Sequence, residues 1–295
     1  MCELLVTGAS GFLGAHIMRL CAEQGRDAVG IVHSHQMPVP GRTIELNLAD
    51  NRRLMELIRE LKPGAVIHAG ALTSPDYCEA HREEADAVNF TATGAIAMAA
   101  FAVNAHLLFV STDLVFDGEA GMYTEADAPS PLNHYARTKA QAEHIVRSAC
   151  PDFAVVRPSF IYGRPMAEHH GSYSETLYRN LREGIPTPVF TDQYRSPIEA
   201  GVLAAAILEV SDERLSGIWH VAGPERVNRA QFARLLADIA GLDPGLLRET
   251  SMDDVVLPAA RPRDVSLDIS KARQRLKTSL PGTKASLEAL YHAAA

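Results

Sequence analysis

Three side chains near the middle of the chain have the types and spacing for proton chemistry at an oxygen. Tyr135 and Lys139 are four residues apart, which on a helix places them on one face, one turn apart. An ammonium beside a phenol favours the phenolate, so the pair predicts a Tyr135 whose pKa falls toward working pH. Such a tyrosine can give or take a proton at a carbonyl or alcohol oxygen. Thr112, in the run Ser111-Thr112-Asp113, stands at the predicted carboxyl end of a strand and supplies a hydroxyl to the same oxygen. A Tyr-x-x-x-Lys pair on an ordinary surface helix has the same spacing, so its surroundings decide its meaning.

Proton transfer of this kind is useful beside a hydride carrier, and the N-terminus has the means to hold one. Leu4 to Gly14 reads LLVTGASGFLG: an apolar run, glycines at 8, 11 and 14, then a helical pattern. Strand, glycine-rich turn and helix together bind pyrophosphate. The missing side chains let the backbone approach, and the helix turns its free N–H groups and positive end toward the anion. The spacing is G-x-x-G-x-x-G, one residue away from the G-x-G-x-x-G of many dinucleotide sites.

The elements that must position these groups follow in order. Phe12 to Gln24 is predicted as a helix stopped by Gly25, and Ala28 to His33 as the second strand. In dinucleotide folds an acidic residue at that strand's end binds the 2′-hydroxyl of NAD, and a basic one admits the 2′-phosphate of NADP. His33-Ser34-His35 offers no carboxylate and no arginine, so NADP is preferred and NAD stays open. Thr43 to Leu46 is a short strand, Asn51 to Leu61 an amphipathic helix, and Ala65 to Ala69 a strand ending in the small residues Ala69, Gly70 and Ala71. Glu83 to Asn104 is a long Ala-rich helix containing Asn89, and Leu107 to Ser111 is a fifth strand. This alternation predicts an α/β fold, a Rossmann-type doubly wound parallel sheet. Phe153 to Arg157 is a further strand. After Ser159 the rhythm degrades: helices are expected at Ser174 to Arg182, Ile198 to Val210, Asn228 to Ala240 and Ser270 to Lys277, and a strand at Gly217 to Val221. The division expected is 1–160 for the dinucleotide and 161–295 mainly for substrate, with segments returning to the core.

The chain has 295 residues, 28 Lys+Arg against 36 Asp+Glu and a net charge of −8, which excludes a nucleic-acid footprint. No leader pattern or membrane-length apolar run is read from it, so a cytoplasmic protein with no membrane partner is expected. Cys2, Cys21, Cys78 and Cys150 are scattered like reduced thiols, and no metal site is expected from them or from the 12 histidines, His169-His170 included.

With these residues in place, the chain resembles an extended short-chain dehydrogenase/reductase. Within that group it is similar to the dTDP-4-dehydrorhamnose reductase family, which is related to the methionine adenosyltransferase β subunit. The resemblance rests on VTGASGFLG (6–14), VIHAGALTSPDYCE (66–79), the Asn89 helix, STDLVFDG (111–118), YARTK (135–139), RPSFIYG (157–163) and RPRDVSLDISK (261–271). It implies a pyrophosphate held by Gly8, Gly11, Phe12, Leu13 and Gly14, and a ribose end at His33 and Ser34. Asn47 and Leu48 would lie by the adenine, although the family usually has Asp at the first of these. Ala69, Gly70, Ala71 and Ser111 would border the ribose and nicotinamide. Tyr135 would be the proton donor, Lys139 its partner on the nicotinamide ribose, and Thr112 the group that orients the carbonyl. Pro158, Ser159 and Phe160 would border nicotinamide and sugar. Asp113 and Arg263 would belong to the substrate side.

The implied activity is NAD(P)H-dependent reduction of the keto group of a nucleotide sugar. A non-catalytic NADP-binding regulatory subunit and a nucleotide-sugar epimerase are the alternatives. Sugar-nucleotide dehydratases carry an Asp-Glu pair after the threonine; here Asp113 is followed by Leu114, so that eliminating pair is absent. Leu114 also replaces a tyrosine common in the reductases, and SPIEAGVL (196–203) departs from the family pattern after its first two residues. The helices Glu83–Asn104 and His134–Ala149 are apolar enough to pair two copies as a homodimer.

Overall fold

The strands that carry the site are short and almost wholly apolar, which is the composition of a parallel sheet covered on both faces. The computed structural model describes residues 2–33, 39–164 and 172–292. Its first half comprises β1 (Leu4–Thr7), α1 (Phe12–Glu23), β2 (Ala28–Val32), β3 (Arg42–Glu45), α2 (Asn51–Leu61), β4 (Ala65–His68), α3 (Pro75–Ala80), α4 (Arg82–Ala85), a π-helical turn (Asp86–Thr91), α5 (Ala92–Ala102), β5 (His106–Val110), α6 (His134–Ala149) and β6 (Phe153–Arg157). The remainder comprises β7 (Ile161–Tyr162), α7 (Tyr173–Arg182), β8 (Thr187–Phe190), β9 (Tyr194–Arg195), β10 (Ile198–Glu199), α8 (Ala200–Asp212), β11 (Gly217–His220), β12 (Val227–Asn228), α9 (Arg229–Ala240), β13 (Leu247–Thr250), α10 (Ser270–Arg275) and α11 (Thr283–His292).

Seven strands form one parallel sheet in the order β11-β6-β5-β4-β1-β2-β3. The chain runs outward from β1 to β3, then crosses back to β4 and winds the other way. The reversal between β1 and β4 opens a crevice at the strands' carboxyl ends, where such folds bind ligands. Thr7 and His68 are register partners across this point. On one face α1 and α8 bury Leu13, Ile17, Leu203 and Ile207 against the sheet; on the other α2, α5 and α6 bury Leu54, Ile58, Ile96 and Val146. A separate cluster around Tyr162, Leu177, Phe232, Leu236 and Leu287 holds the C-terminal lobe together, while α8 and β11 return to the main sheet.

The doubly wound sheet is as the sequence predicts, and three local differences have physical causes. The long helix contains a π-turn at Asp86–Thr91, which no residue type announces. Its whole span, Arg82–Ala102, has 21 residues, and an 18-residue window within it has a mean hydropathy of 1.2, the length and composition of a membrane span. Much of that apolar surface packs against α2 and α6, which is why a core helix reaches this composition. The segment expected as helix from Ile198 instead starts as β10, paired with β7, because Glu199 caps the helix by accepting from the Val202 N–H at 2.8 Å. The C-terminal lobe also contains a β8–β13 pair that its irregular pattern did not reveal.

Candidate active site

The turn between β1 and α1 leaves no room for side chains. Gly8 has φ +67°, and a Cβ there would lie 2.6 Å from the Gly70 Cα; one on Gly14 would lie 2.0 Å from the Gly8 carbonyl oxygen. Gly11 stands at the N-cap of α1, with no side chain to satisfy the helix's first N–H groups. The turn is thus a backbone cradle whose free donors suit an anion, and a dinucleotide's pyrophosphate fits that chemistry.

Two adjoining cavities flank the cradle. One, of about 300 Å³, is lined by Gly8, Gly11, His33, Asn47, Leu48, Gly70 and Ala71. The other, of about 570 Å³, is lined by Gly8, Gly11, Phe12, Leu13, Gly14, Ala69, Gly70, Ala71, Ser111, Thr112, Tyr135, Lys139 and Pro158. Most of the residues picked out in the sequence therefore converge on one crevice. Ser34 lies outside the described residues. Thr73, Ile161, Val88 and Glu84 also line these cavities and escaped the sequence reading; Glu84 lies in the first turn of α4, where an acidic residue looks like ordinary helix-start chemistry.

A third cavity, of about 270 Å³, opens beside Thr112 and Tyr135 and is lined further by Asp113, Leu114, Ser159, Phe160, Gln193, Arg195, Arg229 and Arg261. Phe160 belongs here and not to the dinucleotide crevice. Arg263 is absent from the lining: it is half exposed and pairs with Asp192 at 2.6 Å and Asp253 at 2.5 Å. Arg261, two residues earlier, occupies the wall.

Lys139 is buried in α6, and its ammonium donates to the Val110 carbonyl at 2.7 Å while lying 4.1 Å over the Phe109 ring. Burial lowers its pKa to about 7, with Glu143 one turn further on pulling upward. Tyr135 is buried too, and burial raises its pKa, with the neighbouring Thr112 hydroxyl acting in the lowering direction. The expected lowering of Tyr135 by Lys139 is therefore corrected: the ammonium is turned to the end of β5, and desolvation governs the phenol. A phenol held protonated remains a good donor to an alkoxide, which is far more basic.

Thr112 is held in place from below. Its hydroxyl donates to Asp113 Oδ1 at 3.1 Å and accepts from the Leu114 N–H at 3.2 Å. Asp113 Oδ2 accepts from Ser159 Oγ at 2.6 Å, with Arg195 Nε at 3.8 Å; burial raises the Asp113 pKa against these partners. Asp113 thus braces Thr112 and Ser159.

A buried hydrogen-bond chain joins the glycine turn to the tyrosine helix. The Gly70 N–H donates to Thr7 Oγ1 at 3.1 Å, and Thr7 Oγ1 lies 2.6 Å from His68 Nδ1. His68 Nε2 is 2.9 Å from Thr93 Oγ1, which itself donates to the Asn89 carbonyl at 2.8 Å. Since Thr93 spends its proton on Asn89, His68 Nε2 carries the ring hydrogen and Nδ1 accepts from Thr7. The Asn89 side chain, on the π-turn, accepts from the Leu72 N–H at 2.8 Å and donates to Thr138 at 3.2 Å, and Thr138 bonds the Tyr135 carbonyl at 2.7 Å. Burial lowers the His68 pKa to about 3, with the Lys139 charge adding to the effect, so the ring is neutral.

A nucleotide-holding Rossmann crevice with Tyr135, Lys139 and Thr112 at its mouth defines an oxidoreductase of the extended short-chain dehydrogenase/reductase type. The chain belongs to the RmlD substrate binding domain family, whose model matches residues 2–295. It is 37% identical over 287 residues to a probable low-salt glycan biosynthesis reductase of Haloferax volcanii, covering 97% of this chain and 96% of that one. It is 29% identical over 274 residues to the β subunit of methionine adenosyltransferase 2 of Rattus norvegicus, covering 91% and 81%. Among solved structures, a hypothetical dTDP-4-dehydrorhamnose reductase from Sulfolobus tokodaii superposes with a TM-score of 0.85 at 35% identity, covering 95% of this chain and 96% of that one. A dTDP-4-dehydrorhamnose reductase ortholog of Clostridium acetobutylicum gives 0.87 at 26% identity, with 99% of each chain covered.

Proposed function

We propose that the protein reduces the keto group of a nucleotide sugar, with NADPH as preferred hydride donor and NADH admissible. The observation that carries this reading is the shared wall: Thr112 and Tyr135 line both the dinucleotide crevice and the smaller cavity beside it. The glycine cradle and α1 would hold the pyrophosphate, Asn47 and Leu48 the adenine side, and Ala69, Gly70 and Ala71 the ribose side. The dinucleotide, when bound, supplies the hydride. Tyr135 gives its proton to the carbonyl oxygen as negative charge develops there, Thr112 orients that oxygen, and Lys139 holds positive charge beneath the site. A dehydratase reading is disfavoured because Leu114 follows Asp113 where an acid would be needed.

Tyr135→Phe tests the chemistry. NADPH binding is expected to survive and reduction to fall by about two to four orders of magnitude; unchanged turnover would sink the mechanism. NADPH oxidation over dTDP-, UDP- and GDP-keto sugars identifies the nucleotide. Silence across that panel, with a partner chain co-purifying, would favour a regulatory subunit; exchange at a sugar carbon without cofactor consumption would favour an epimerase. We further infer a cytoplasmic homodimer, supported by four free, buried cysteines and by Met98 and Phe101, which project from α5 with 52% and 58% exposure.

A further inference from the structure

The cavity of about 300 Å³ beside the glycine cradle has apolar walls and few polar side chains. Ile31, Leu46, Leu48, Leu72 and Val88 supply the walls, and the polar side chains of the lining are Ser10, His33, Asn47 and Glu84. Ser10 lies in the turn between Gly8 and Gly11, and His33 follows the end of β2. Those two stand where the phosphates and the ribose of a dinucleotide belong. Asn47 and Glu84 are left for the base.

Their hydrogen-bonding capacities are opposite. Asn47 Oδ1 already accepts from the Ala49 N–H at 2.9 Å, so its amide NH₂ is the group it has left to offer. Glu84 is the one carboxylate of the lining, an acceptor at both oxygens. The Tyr77 hydroxyl donates to Glu84 Oε2 at 2.6 Å, and the Tyr77 ring is itself stacked on His81 with centroids 4.0 Å apart. Tyr77 thus steadies the carboxylate through one oxygen and leaves Oε1 for a ligand. One donor and one charged acceptor on a single apolar cavity match one edge of adenine, where the acceptor N1 stands beside the 6-amino donor. Hypoxanthine, with N1–H beside a 6-oxo group, presents the reverse.

We propose that Glu84 selects the base of the cofactor, accepting from the 6-amino group of an adenine dinucleotide while Asn47 donates to N1. The assignment rests on the dinucleotide reading of this crevice and deepens it: the site is selective for a 6-aminopurine and does not hold its ligand by the phosphates alone. A hydrogen bond from an amine to a carboxylate is of the stronger, charge-assisted kind, and a 6-oxo group in the same place sets two acceptors against each other.

The test is the ratio of two dissociation constants, for NADPH and for deamino-NADPH, whose hypoxanthine carries an oxygen in place of the 6-amino group. Both are measured by nicotinamide fluorescence or calorimetry on wild type, Glu84→Ala and Glu84→Gln. The two probes share their phosphates, riboses and nicotinamide, so general damage to the crevice or a change in its charge cancels in the ratio. Wild type is expected to favour NADPH by about 10-fold or more. Glu84→Ala is expected to cut that preference to within about threefold by losing NADPH affinity. Glu84→Gln, whose amide can turn either its oxygen or its NH₂ to the base, is expected to cut it by gaining deamino-NADPH. Equal affinity of wild type for both probes overturns the proposal, and so does a preference that both variants retain. Keto-sugar reduction by wild type with NADPH is scored separately. Reduction present without base discrimination removes the Glu84 contact alone; discrimination intact with no keto sugar reduced removes the reductase reading alone.

Discussion

The Lys139 ammonium donates to the Val110 carbonyl at 2.7 Å, so the lysine is fastened to the end of β5 and not to the tyrosine one turn before it. This buried charge has a consequence for stability. Its pKa is about 7 in the folded chain against 10.5 when solvated. Between those values the unfolded chain binds more protons, so stability rises with pH across roughly 7 to 10.5, and the cost of burying the charge is full below about 7. Lys139→Met is expected to lose activity about 100-fold or more. Its melting temperature should match or exceed wild type at pH 6 to 7, with the advantage shrinking toward pH 10. A difference between the two melting curves that stays constant with pH would refute the buried-charge account.

Acid acts on the opposite partner. His68 and His220 titrate near 3 and 4 in the folded state, both lowered chiefly by burial. The solvated value is 6.5 for each, so from about pH 6.5 down to 4 the unfolded chain takes up protons that the native one refuses. Stability then falls by about 1.4 kcal/mol per pH unit for each ring. Gln at position 68 can accept from Thr7 and donate to Thr93 without titrating. His68→Gln is expected to cost about 1–3 kcal/mol at pH 7 through poorer hydrogen bonds, yet to flatten the acid limb of urea midpoint against pH. An unaltered slope would show that His68 does not carry it.

The parts legible in the sequence were those set by local chain geometry. Three glycines after an apolar run specify a cradle because only absent side chains allow the approach of Gly8 to Gly70 and of Gly14 to Gly8. Tyr135 and Lys139 share a helix face by spacing alone. What the sequence hid depends on distant elements. The turning of Lys139 to Val110 requires the placement of β5 beneath α6, and burial then reverses the expected sign at Tyr135. Arg263 and Arg261 are two residues apart in an irregular segment, and which one meets the cavity is decided by the bridge between Tyr194 and Asp264 and by Asp76 on α3. Arg229 looks like a polar residue beside a capped helix start until Phe160 and Tyr173 fold around it.

Gly14→Ala probes the cradle directly. Its methyl would meet the Gly8 carbonyl oxygen at 2.0 Å and the Gly8 carbonyl carbon at 2.7 Å, and both are backbone atoms with no rotamer to change. The helix must therefore move off the turn. A loss of about 1–3 kcal/mol is expected in chemical denaturation, with NADPH affinity falling by an order of magnitude or more because the free N–H groups lose their aim. A variant that folds and binds NADPH as tightly as wild type would separate the turn from the cofactor.

Glu143 links Lys139 to the core, and its removal should act on both. Its carboxylate accepts from Arg157 at 2.6 and 2.9 Å and from Ser111 at 2.5 Å, all buried. Glu143→Gln leaves the Arg157 charge uncompensated in the interior, which typically costs about 3–5 kcal/mol. It also withdraws the negative charge that holds the Lys139 pKa up, so that pKa falls and the ammonium is lost at lower pH. The alkaline limb of kcat/KM is therefore expected to move toward acid in Glu143→Gln. Replacing both partners, Glu143→Leu with Arg157→Met, removes two buried charges together and should recover most of the stability. The shifted alkaline limb should persist in that pair, since Lys139 still lacks its neighbour. Recovery of the wild-type profile along with the stability would mean that Glu143 acts on the fold alone.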